Sequence, residues 1–154
     1  MALPHELLLM ILWRISTYIA LDGSGGLYVS GRWHRKGRPV IYCSMNPSTV
    51  LLETLVHFGV DQEDRLNTFR VLKIEAPDSL SREILNPSAL PKGWQNDLSV
   101  TQDIGDRWLS EARSRALTVP SVLFEDRSNV ILNPLHIDAH LLQIVSAYKA
   151  VYRS

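Results

Sequence analysis

Residues 69–76 read Phe-Arg-Val-Leu-Lys-Ile-Glu-Ala and alternate apolar with polar side chains over several positions. A period of two places apolar side chains on one face of an extended chain, so the segment predicts a half-buried strand over residues 69–75. An earlier segment has helical spacing, because its apolar residues from Val50 to Phe58 cover one side of a helix. This helix opens at Pro47-Ser48 and ends before Gly59, and we predict Ser48 as its N-cap. Together the two periods indicate an α+β fold with mixed sheets.

The rest of the chain supplies shorter signals of the same two kinds. They are separated by turn residues, and no internal repeat or low-complexity tract interrupts them. We predict strands near 11–18, 27–29 and 40–43, a short helix near 81–85, a helix from the capping-box spacing Ser99-Val-Thr-Gln102 to about Ala116, and paired strands at 119–124 and 129–132. The tail at 142–152 fits either a helix or a strand.

Composition bounds the class of protein. The 154 residues carry 16 Lys and Arg against 16 Asp and Glu, and this neutrality disfavours bulk nucleic-acid binding. The single cysteine, Cys43, closes no intrachain disulfide, which fits a reducing compartment. The longest apolar run, from Leu7 to Trp13, is far shorter than the ~20 residues of a membrane span. We therefore expect one compact cytoplasmic domain over residues 11–154, after an N-terminal extension at 1–10, with no contact to membrane or nucleic acid.

A basic loop stands out against this neutral background. No carboxylate occurs between Asp22 and Glu53, and the octapeptide Gly31-Arg-Trp-His-Arg-Lys-Gly-Arg38 contains four permanent cations and a histidine. Guanidinium forks and backbone N–H groups in such a loop can bind phosphate oxygens, although a solvated charged loop explains the same residues. The nearby Asp22-Gly-Ser-Gly-Gly lacks the third glycine of a dinucleotide-binding fingerprint, so it gives no support to a Rossmann site.

Other candidate side chains are ambiguous when each is taken alone. Glu53 lies away from the apolar stripe of its helix and faces either solvent or a cleft. Tyr42 and Trp33 fit ordinary core aromatics as well as a site. We assign no metal to His136, Asp138 and His140, because on a helix the aspartate points away from the histidines. Neither a hydrolase triad at Ser121 nor a nucleophilic Cys43 has a supporting motif.

Several short motifs, however, follow one another in a fixed order. They are Trp13-Arg14-Ile15, Gly31-Arg32-Trp33, Tyr42, Leu52-Glu53-Thr-Leu-Val-His57, Val119-Pro-Ser121 and Asn133-Pro-x-His136. The ordered set, from about Ile11 to about His136, resembles the RES-domain family, whose name stands for Arg, Glu and Ser. The set is far more specific than any of its members.

This resemblance implies a bacterial toxin of a type II toxin–antitoxin pair, with a fold similar to that of ADP-ribosyltransferase toxins. It also implies that the enzyme depletes NAD+ by cleaving the nicotinamide–ribose bond, as a glycohydrolase or as a phosphorylase with inorganic phosphate as co-substrate, and without another cofactor. The family pattern makes Arg32, Tyr42, Glu53 and Ser121 the catalytic set. The NAD-binding set is Arg14, Arg32, Tyr42, Ser121 and Asn133. The family pattern often has Asn where this chain has His34, a departure that concerns the ligand contacts of the basic loop and not the named Arg, Glu and Ser.

The residue types fit the implied chemistry. Loss of cationic nicotinamide gives the ribose oxocarbenium character, which a carboxylate such as Glu53 stabilises. In this hypothesis Arg14 and Arg32 hold the pyrophosphate, Tyr42 stacks on the nicotinamide cation, and Ser121 orients the ribose or carboxamide by a hydrogen bond.

Two other functions remain open at this point. The same side chains suit a mono-ADP-ribosyltransferase that modifies a protein. The cations Arg32, Arg35, Lys36 and Arg38 also suit a non-catalytic module that binds nucleotides or RNA. By resemblance, the expected partner is an Xre-type helix-turn-helix antitoxin that covers the NAD cleft, with the toxin a homodimer in that complex.

Overall fold

The computed structural model describes residues 9–16, 20–58, 69–137 and 142–149. These residues form two compact units. The first unit contains residues 9–16, 43–58, 69–80 and 142–149, and the second contains residues 20–42 and 81–137. The predicted N-terminal extension falls mostly outside the described residues, so its boundary with the domain at residue 11 stays a prediction.

The first unit is built on antiparallel strands. Strand β1 (Leu9–Ser16) pairs along its whole length with β3 (Arg70–Pro77), and β3 pairs with β7 (Gln143–Lys149). The end of β2 (Ile41–Ser44) joins β1 where Ser44 lies opposite Trp13. Along β3 the buried residues Leu72, Ile74 and Ala76 alternate with more exposed ones, which confirms the predicted half-buried strand. Helix α2 (Pro47–Phe58) belongs to this unit and confirms the predicted helix.

The second unit places one long helix beside a small sheet. After the one-turn helix α1 (Gly25–Tyr28), β4 (Arg82–Ile84) runs parallel to β5 (Ala116–Pro120), which pairs antiparallel with β6 (Ser128–Leu132). Helix α3 (Leu98–Glu111) contributes Trp108 to the core. The buried cluster of this unit consists of Trp33, Val40, Leu90, Trp94, Trp108, Leu109, Leu117, Val119 and Ile131.

These elements confirm the α+β class and the mixed sheet, since the seven strands include both antiparallel and parallel pairs. The β5–β6 pair was predicted, but β5 begins and ends a few residues earlier than expected. The tail at 143–149 is a strand. Across the described residues, no helix combines the length and the hydropathy that crossing a membrane requires.

Two predicted elements are wrong. Residues 27–29 were expected to be a strand, but Leu27 and Tyr28 complete helix α1, whose turn is closed by a hydrogen bond from Val29 N–H to the Gly25 carbonyl. Residues 81–85 were expected to be a short helix, but Arg82–Ile84 form β4 against β5. In both places the segment is too short to carry a period of its own, so the hydrogen bonds that its backbone finds in the folded chain decide its conformation.

Both predicted helix caps are also displaced. At α2 the capping side chain is Asn46, whose Oδ1 accepts from the backbone N–H groups of Ser48 and Thr49 at 2.8 and 3.2 Å. Ser48 is therefore inside the helix. At α3 the capping box is not formed, because Ser99 lies within the helix and Gln102 donates to the Gly31 carbonyl. The helix ends at Glu111, earlier than the predicted Ala116. It ends there because the next residue, Ala112, adopts the left-handed conformation.

Candidate functional site

The basic loop Gly31–Arg38 is attached to helix α3 through its backbone. Thr101 Oγ1 donates to the Arg32 carbonyl at 2.6 Å, and Gln102 Nε2 donates to the Gly31 carbonyl at 2.9 Å. Gly31 N–H also donates to the His34 carbonyl at 3.1 Å, which closes a tight turn. Trp33, only 2% exposed, anchors the turn in the core of the second unit. The loop is therefore held in one conformation rather than freely solvated.

Two of the four loop cations are neutralised by α3. Arg35 Nη1 lies 2.8 Å from Asp103 Oδ1 and 3.1 Å from Asp106 Oδ2. Arg38 Nε lies 3.3 Å from Asp106 Oδ1, and Arg38 Nη1 donates to Ser110 Oγ at 2.6 Å. Asp106 also accepts from the Arg35 backbone N–H at 3.1 Å. These contacts make Arg35 and Arg38 part of the scaffold, so the loop is less basic than its sequence indicates.

Arg32 differs from these two arginines. Its Nη1 donates to the Gln95 carbonyl at 3.0 Å, which fixes the side chain without neutralising its charge. Among the described residues, no carboxylate lies within ion-pair distance of Arg32. The guanidinium carries five N–H donors, and the carbonyl of Gln95 uses only one side of the fork. Arg32 is thus a partly exposed cation whose side chain is fixed in position and can bind an anionic ligand.

Tyr42 is connected to the same loop through its hydroxyl group. Its Oη accepts from Trp33 N–H at 3.0 Å and lies 2.7 Å from His34 Nδ1. The other ring nitrogen of His34 lies 2.9 Å from the Val29 carbonyl oxygen. Burial lowers the pKa of His34 below its usual 6.5, so the imidazole is neutral near pH 7. Gly31 permits this approach, because a β-carbon there would lie 2.6 Å from the Tyr42 hydroxyl oxygen.

Ser121 organises the turn that follows β5. Its Oγ accepts from the backbone N–H groups of Leu123 and Phe124 at 3.1 and 3.2 Å, while its own N–H donates to the Arg127 carbonyl at 2.9 Å. The side chain is buried, with 4% of the residue exposed. Its hydroxyl therefore holds a loop in place, in addition to any contact with a ligand.

Asn133 lies at the opposite end of the β5–β6 pair. Ser121 follows the end of β5 where Pro120 pairs with Ser128, whereas Asn133 follows the end of β6 where Leu132 pairs with Ala116. Five residues of strand put these ends roughly 15 Å apart. Asn133 Nδ2 donates to the Leu109 carbonyl at 3.2 Å, and its Oδ1 accepts from Leu135 N–H at 3.1 Å. The amide thus joins α3 to the loop after β6, and its predicted role in ligand binding stays a prediction.

The remaining two predicted site residues belong to the first unit. Arg14 lies on β1 opposite Leu72, is 9% exposed, and donates from Nη2 to Ser16 Oγ at 3.2 Å. Glu53 lies in the second turn of α2 and is half-buried. The structure thus connects Tyr42 of β2 by hydrogen bonds to the loop that carries Arg32, and both residues belong to the second unit. Arg14 lies on β1 and Glu53 lies on α2, and these two elements of the first unit contact each other.

Several residues that shape the site were not identified from sequence. Gln95, Thr101 and Asp106 hold the basic loop, and all three come from residues far along the chain. Asp103 and Asp106 carried a usable signal, because their spacing of three places both carboxylates on one side of a helix. No sequence signal could have identified the Gln95 carbonyl as the partner of Arg32, because every residue has a backbone carbonyl.

The structure offers little for a metal ion. Among residues 9–16, 20–58, 69–137 and 142–149, no three His, Cys, Asp or Glu side chains are grouped suitably. Of the His136, Asp138 and His140 set, only His136 lies within the described residues. Cys43 is buried.

Comparison with protein families matches residues 11–153 to the RES domain. A protein named Toxin Res from Pseudomonas putida is 44% identical over 135 residues, which cover 88% of this chain and 92% of the relative. Another Toxin Res, from Photorhabdus laumondii, is 38% identical over 85% of this chain and 86% of its own length. A protein named Prs ADP-ribosylating toxin from Sphingobium sp. is 33% identical, with coverage of 91% and 92%.

A solved structure shows the same fold. A chain from the crystal structure of the M. tuberculosis MbcT–MbcA toxin–antitoxin complex superimposes with a TM-score of 0.76. The match covers 93% of this chain and 85% of the other, at 19% sequence identity. At that identity the likeness concerns the fold alone.

Proposed function

The chain belongs to the RES-domain family of toxins, and on that premise we propose that it arrests growth by cleaving NAD+ at the nicotinamide–ribose bond. In this reaction the bond between ribose C1′ and the nicotinamide nitrogen breaks, and its electron pair neutralises the pyridinium. Oxygen from water or inorganic phosphate then bonds to C1′ and loses its proton. The products are nicotinamide and either ADP-ribose or its 1-phosphate.

The observation that carries the proposal is the state of Arg32. Helix α3 neutralises Arg35 and Arg38, whereas Arg32 is held by a neutral carbonyl and keeps its charge available. A single oriented guanidinium suits the bidentate binding of a pyrophosphate, and it does not suit the extended cationic surface that binds RNA. The geometry therefore favours a small anionic substrate over the non-catalytic RNA-binding module.

The proposed roles follow from charge and position. Glu53 stabilises the positive charge that develops on the ribose, Arg32 and Arg14 bind the pyrophosphate, and Tyr42 lies against the nicotinamide. The bonds from Leu123 and Phe124 use the Ser121 oxygen as an acceptor, so a bond to substrate would use the hydroxyl proton. Asn133 stays a member of the predicted NAD-binding set, and its amide also joins α3 to the loop after β6.

The test is nicotinamide release from NAD+ by purified protein, with and without inorganic phosphate, with products identified by mass spectrometry. We expect Glu53→Gln to lower kcat by about 10²–10³-fold, as the loss of a single electrostatic stabiliser does. Arg32→Ala should mainly raise KM. Lys36→Ala is the matched control, since it removes an exposed cation from the same loop and should leave both constants near wild type.

The products separate the possible acceptors. Phosphate-independent ADP-ribose indicates a glycohydrolase, and phosphate-dependent ADP-ribose 1-phosphate indicates a phosphorylase. If Glu53→Gln cleaves NAD+ as fast as wild type, the role of Glu53 is wrong. If neither nicotinamide nor loss of cellular NAD+ on expression is seen, the proposed reaction is wrong.

The second candidate is transfer of ADP-ribose to a protein, and the similarity to the Prs ADP-ribosylating toxin favours it. Such a transfer uses the same bond cleavage with a protein side chain as the acceptor. A mass increase on a host protein, dependent on Glu53, would identify it.

We further propose an antitoxin partner, because the fold is shared with a chain from a toxin–antitoxin complex. An Xre-type helix-turn-helix partner and a homodimeric toxin are the specific expectations. Co-expression with a candidate Xre-type antitoxin, followed by mass measurement of the purified complex, tests both.

A further inference from the structure

His34 is 2% exposed, yet both of its ring nitrogens have polar contacts. Nε2 lies 2.9 Å from the carbonyl oxygen of Val29. Because a carbonyl oxygen can only accept a hydrogen bond, Nε2 must carry a hydrogen. In a neutral imidazole the second nitrogen, Nδ1, is then a bare acceptor. This contact alone therefore selects the Nε2–H tautomer.

The tautomer determines what the Tyr42 hydroxyl does. Nδ1 of His34 lies 2.7 Å from Tyr42 Oη, and a bare nitrogen needs the phenol to donate. The phenol oxygen in turn accepts from Trp33 N–H at 3.0 Å. The result is a directed chain in which Trp33 N–H donates to Tyr42, Tyr42 donates to His34, and His34 donates to Val29.

The surroundings of the ring fit this arrangement. Gly31 makes room for the contact between His34 and Tyr42, because a β-carbon there would lie 2.6 Å from Tyr42 Oη and 3.1 Å from His34 Cε1. Burial of His34 disfavours the imidazolium, in which Nδ1 would be a donor. Within the described residues, the charged group that faces His34 is Asp106 of α3, which accepts hydrogen bonds from Arg35 and forms an ion pair with Arg38. Besides Tyr42, the carbonyls of Gly26 and Val29 contact the ring.

We propose that His34 is a positioning residue whose Nδ1 accepts a hydrogen bond from the phenol O–H of Tyr42. Because this bond occupies the hydroxyl group, Tyr42 serves the substrate site with its aromatic ring and not with its hydroxyl. Tyr42 is half-buried and packs against the apolar cluster of the second unit, so part of the residue stays accessible. The ring face is the part of a tyrosine that attracts a pyridinium cation. The substrate half of this proposal rests on the proposed cleavage of NAD+, whereas the hydrogen-bond chain does not.

The first experiment compares Tyr42→Phe with Tyr42→Leu in nicotinamide release. Phenylalanine keeps the ring and removes the hydroxyl, so we expect kcat/KM within about 5-fold of wild type. Leucine removes the ring, and we expect a loss of about 10-fold or more. Equal losses in the two variants would overturn the proposal.

The second experiment compares His34→Asn with His34→Leu. Asparagine places an acceptor oxygen near the position of Nδ1, so it can still accept from the phenol, whereas leucine cannot. We expect KM for NAD+ to rise at least about 5-fold more in His34→Leu than in His34→Asn, with kcat changed less. If KM for NAD+ rises equally in the two variants, His34 does not act as a hydrogen-bond acceptor for Tyr42.

The third experiment is independent of activity. In protein labelled with 15N in its histidines, the long-range proton–nitrogen correlations of His34, assigned by their loss in His34→Asn, should show the Nε2–H tautomer near pH 7.5. An Nδ1–H tautomer or a doubly protonated ring would overturn the proposal. If wild-type protein neither releases nicotinamide nor lowers cellular NAD+ on expression, the proposed function fails while this spectrum still decides the hydrogen-bond chain. If wild type is active and Tyr42→Phe matches Tyr42→Leu, only the present inference fails.

Discussion

The carbonyl oxygen of Trp33 occupies the space that a β-carbon on Gly105 would need. Helix α3 and the basic loop therefore touch backbone to backbone, with the Trp33 carbonyl carbon 2.7 Å from that β-carbon position. The neighbouring bonds from Thr101 and Gln102 to the loop depend on the same close approach.

We expect Gly105→Ala to lower the free energy of unfolding by about 1–3 kcal/mol, because overpacking moves the loop or the helix. The loss should occur although alanine is favoured over glycine within a helix by about 1 kcal/mol. Denaturant unfolding measures it. Arg107→Ala, an exposed change in the same helix, is the control and should stay within about 0.5 kcal/mol of wild type. A stabilised Gly105→Ala would contradict the close contact.

The two carboxylates of α3 should differ in their effect on stability. Asp106 is largely buried and contacts both Arg35 and Arg38, so Asp106→Asn should cost about 1.5–3 kcal/mol. Asp103 is exposed and, within the described part of the chain, forms an ion pair only with exposed Arg35, so Asp103→Asn should cost less than about 1 kcal/mol. Urea unfolding of both variants checks the order. Equal losses would mean that Asp106 does not organise the loop.

Stability should fall in mildly acidic solution because of His34. The folded-state pKa of His34 is lowered by burial, while the unfolded chain titrates near 6.5. Below that pH the unfolded chain binds a proton that the folded protein resists, so the free energy of unfolding falls as the pH drops through the folded pKa. The contribution is fully present above about pH 6.5, and its slope is at most about 1.4 kcal/mol per pH unit.

The measurement is the difference in free energy of unfolding between wild type and His34→Asn from about pH 5 to pH 8. Subtraction removes the other titrating groups, so the difference isolates His34. A difference that does not vary with pH would contradict the lowered pKa.

Ser121→Ala should loosen the turn after β5. The substitution leaves the N–H groups of Leu123 and Phe124 without the acceptor that they use, at a cost of about 1–3 kcal/mol. Faster hydrogen exchange at these two amides would locate the effect. Ser99→Ala removes an exposed serine hydroxyl and should cost under about 0.5 kcal/mol. If the two variants are equally stable, Ser121 does not hold the turn, and any loss of activity in Ser121→Ala then reflects the substrate.

Sequence periodicity identified the helix and the strand whose apolar residues all lie on one side. The alternation in residues 69–76 and the helical spacing from Val50 to Phe58 each describe a surface that must be buried, whatever it packs against. The ordered motifs likewise predict a site at Arg32, Tyr42, Glu53 and Ser121, because they are matched residue by residue, and the roles of these residues stay proposals. The sequence by itself therefore determined the α+β class, the family and the candidate site residues.

Only the tertiary structure decided which charges remain available and which polar atoms are already used. The sequence shows four equivalent cations in the basic loop. In the fold, the carboxylate of Asp106, 71 residues further along the chain, neutralises part of that charge by contacting Arg35. The donor and acceptor roles of Tyr42 depend in the same way on a neighbouring histidine tautomer and on a backbone carbonyl. Periodicity reports which side of an element is apolar, whereas ion pairs and hydrogen bonds require distances and directions between residues far apart in the chain.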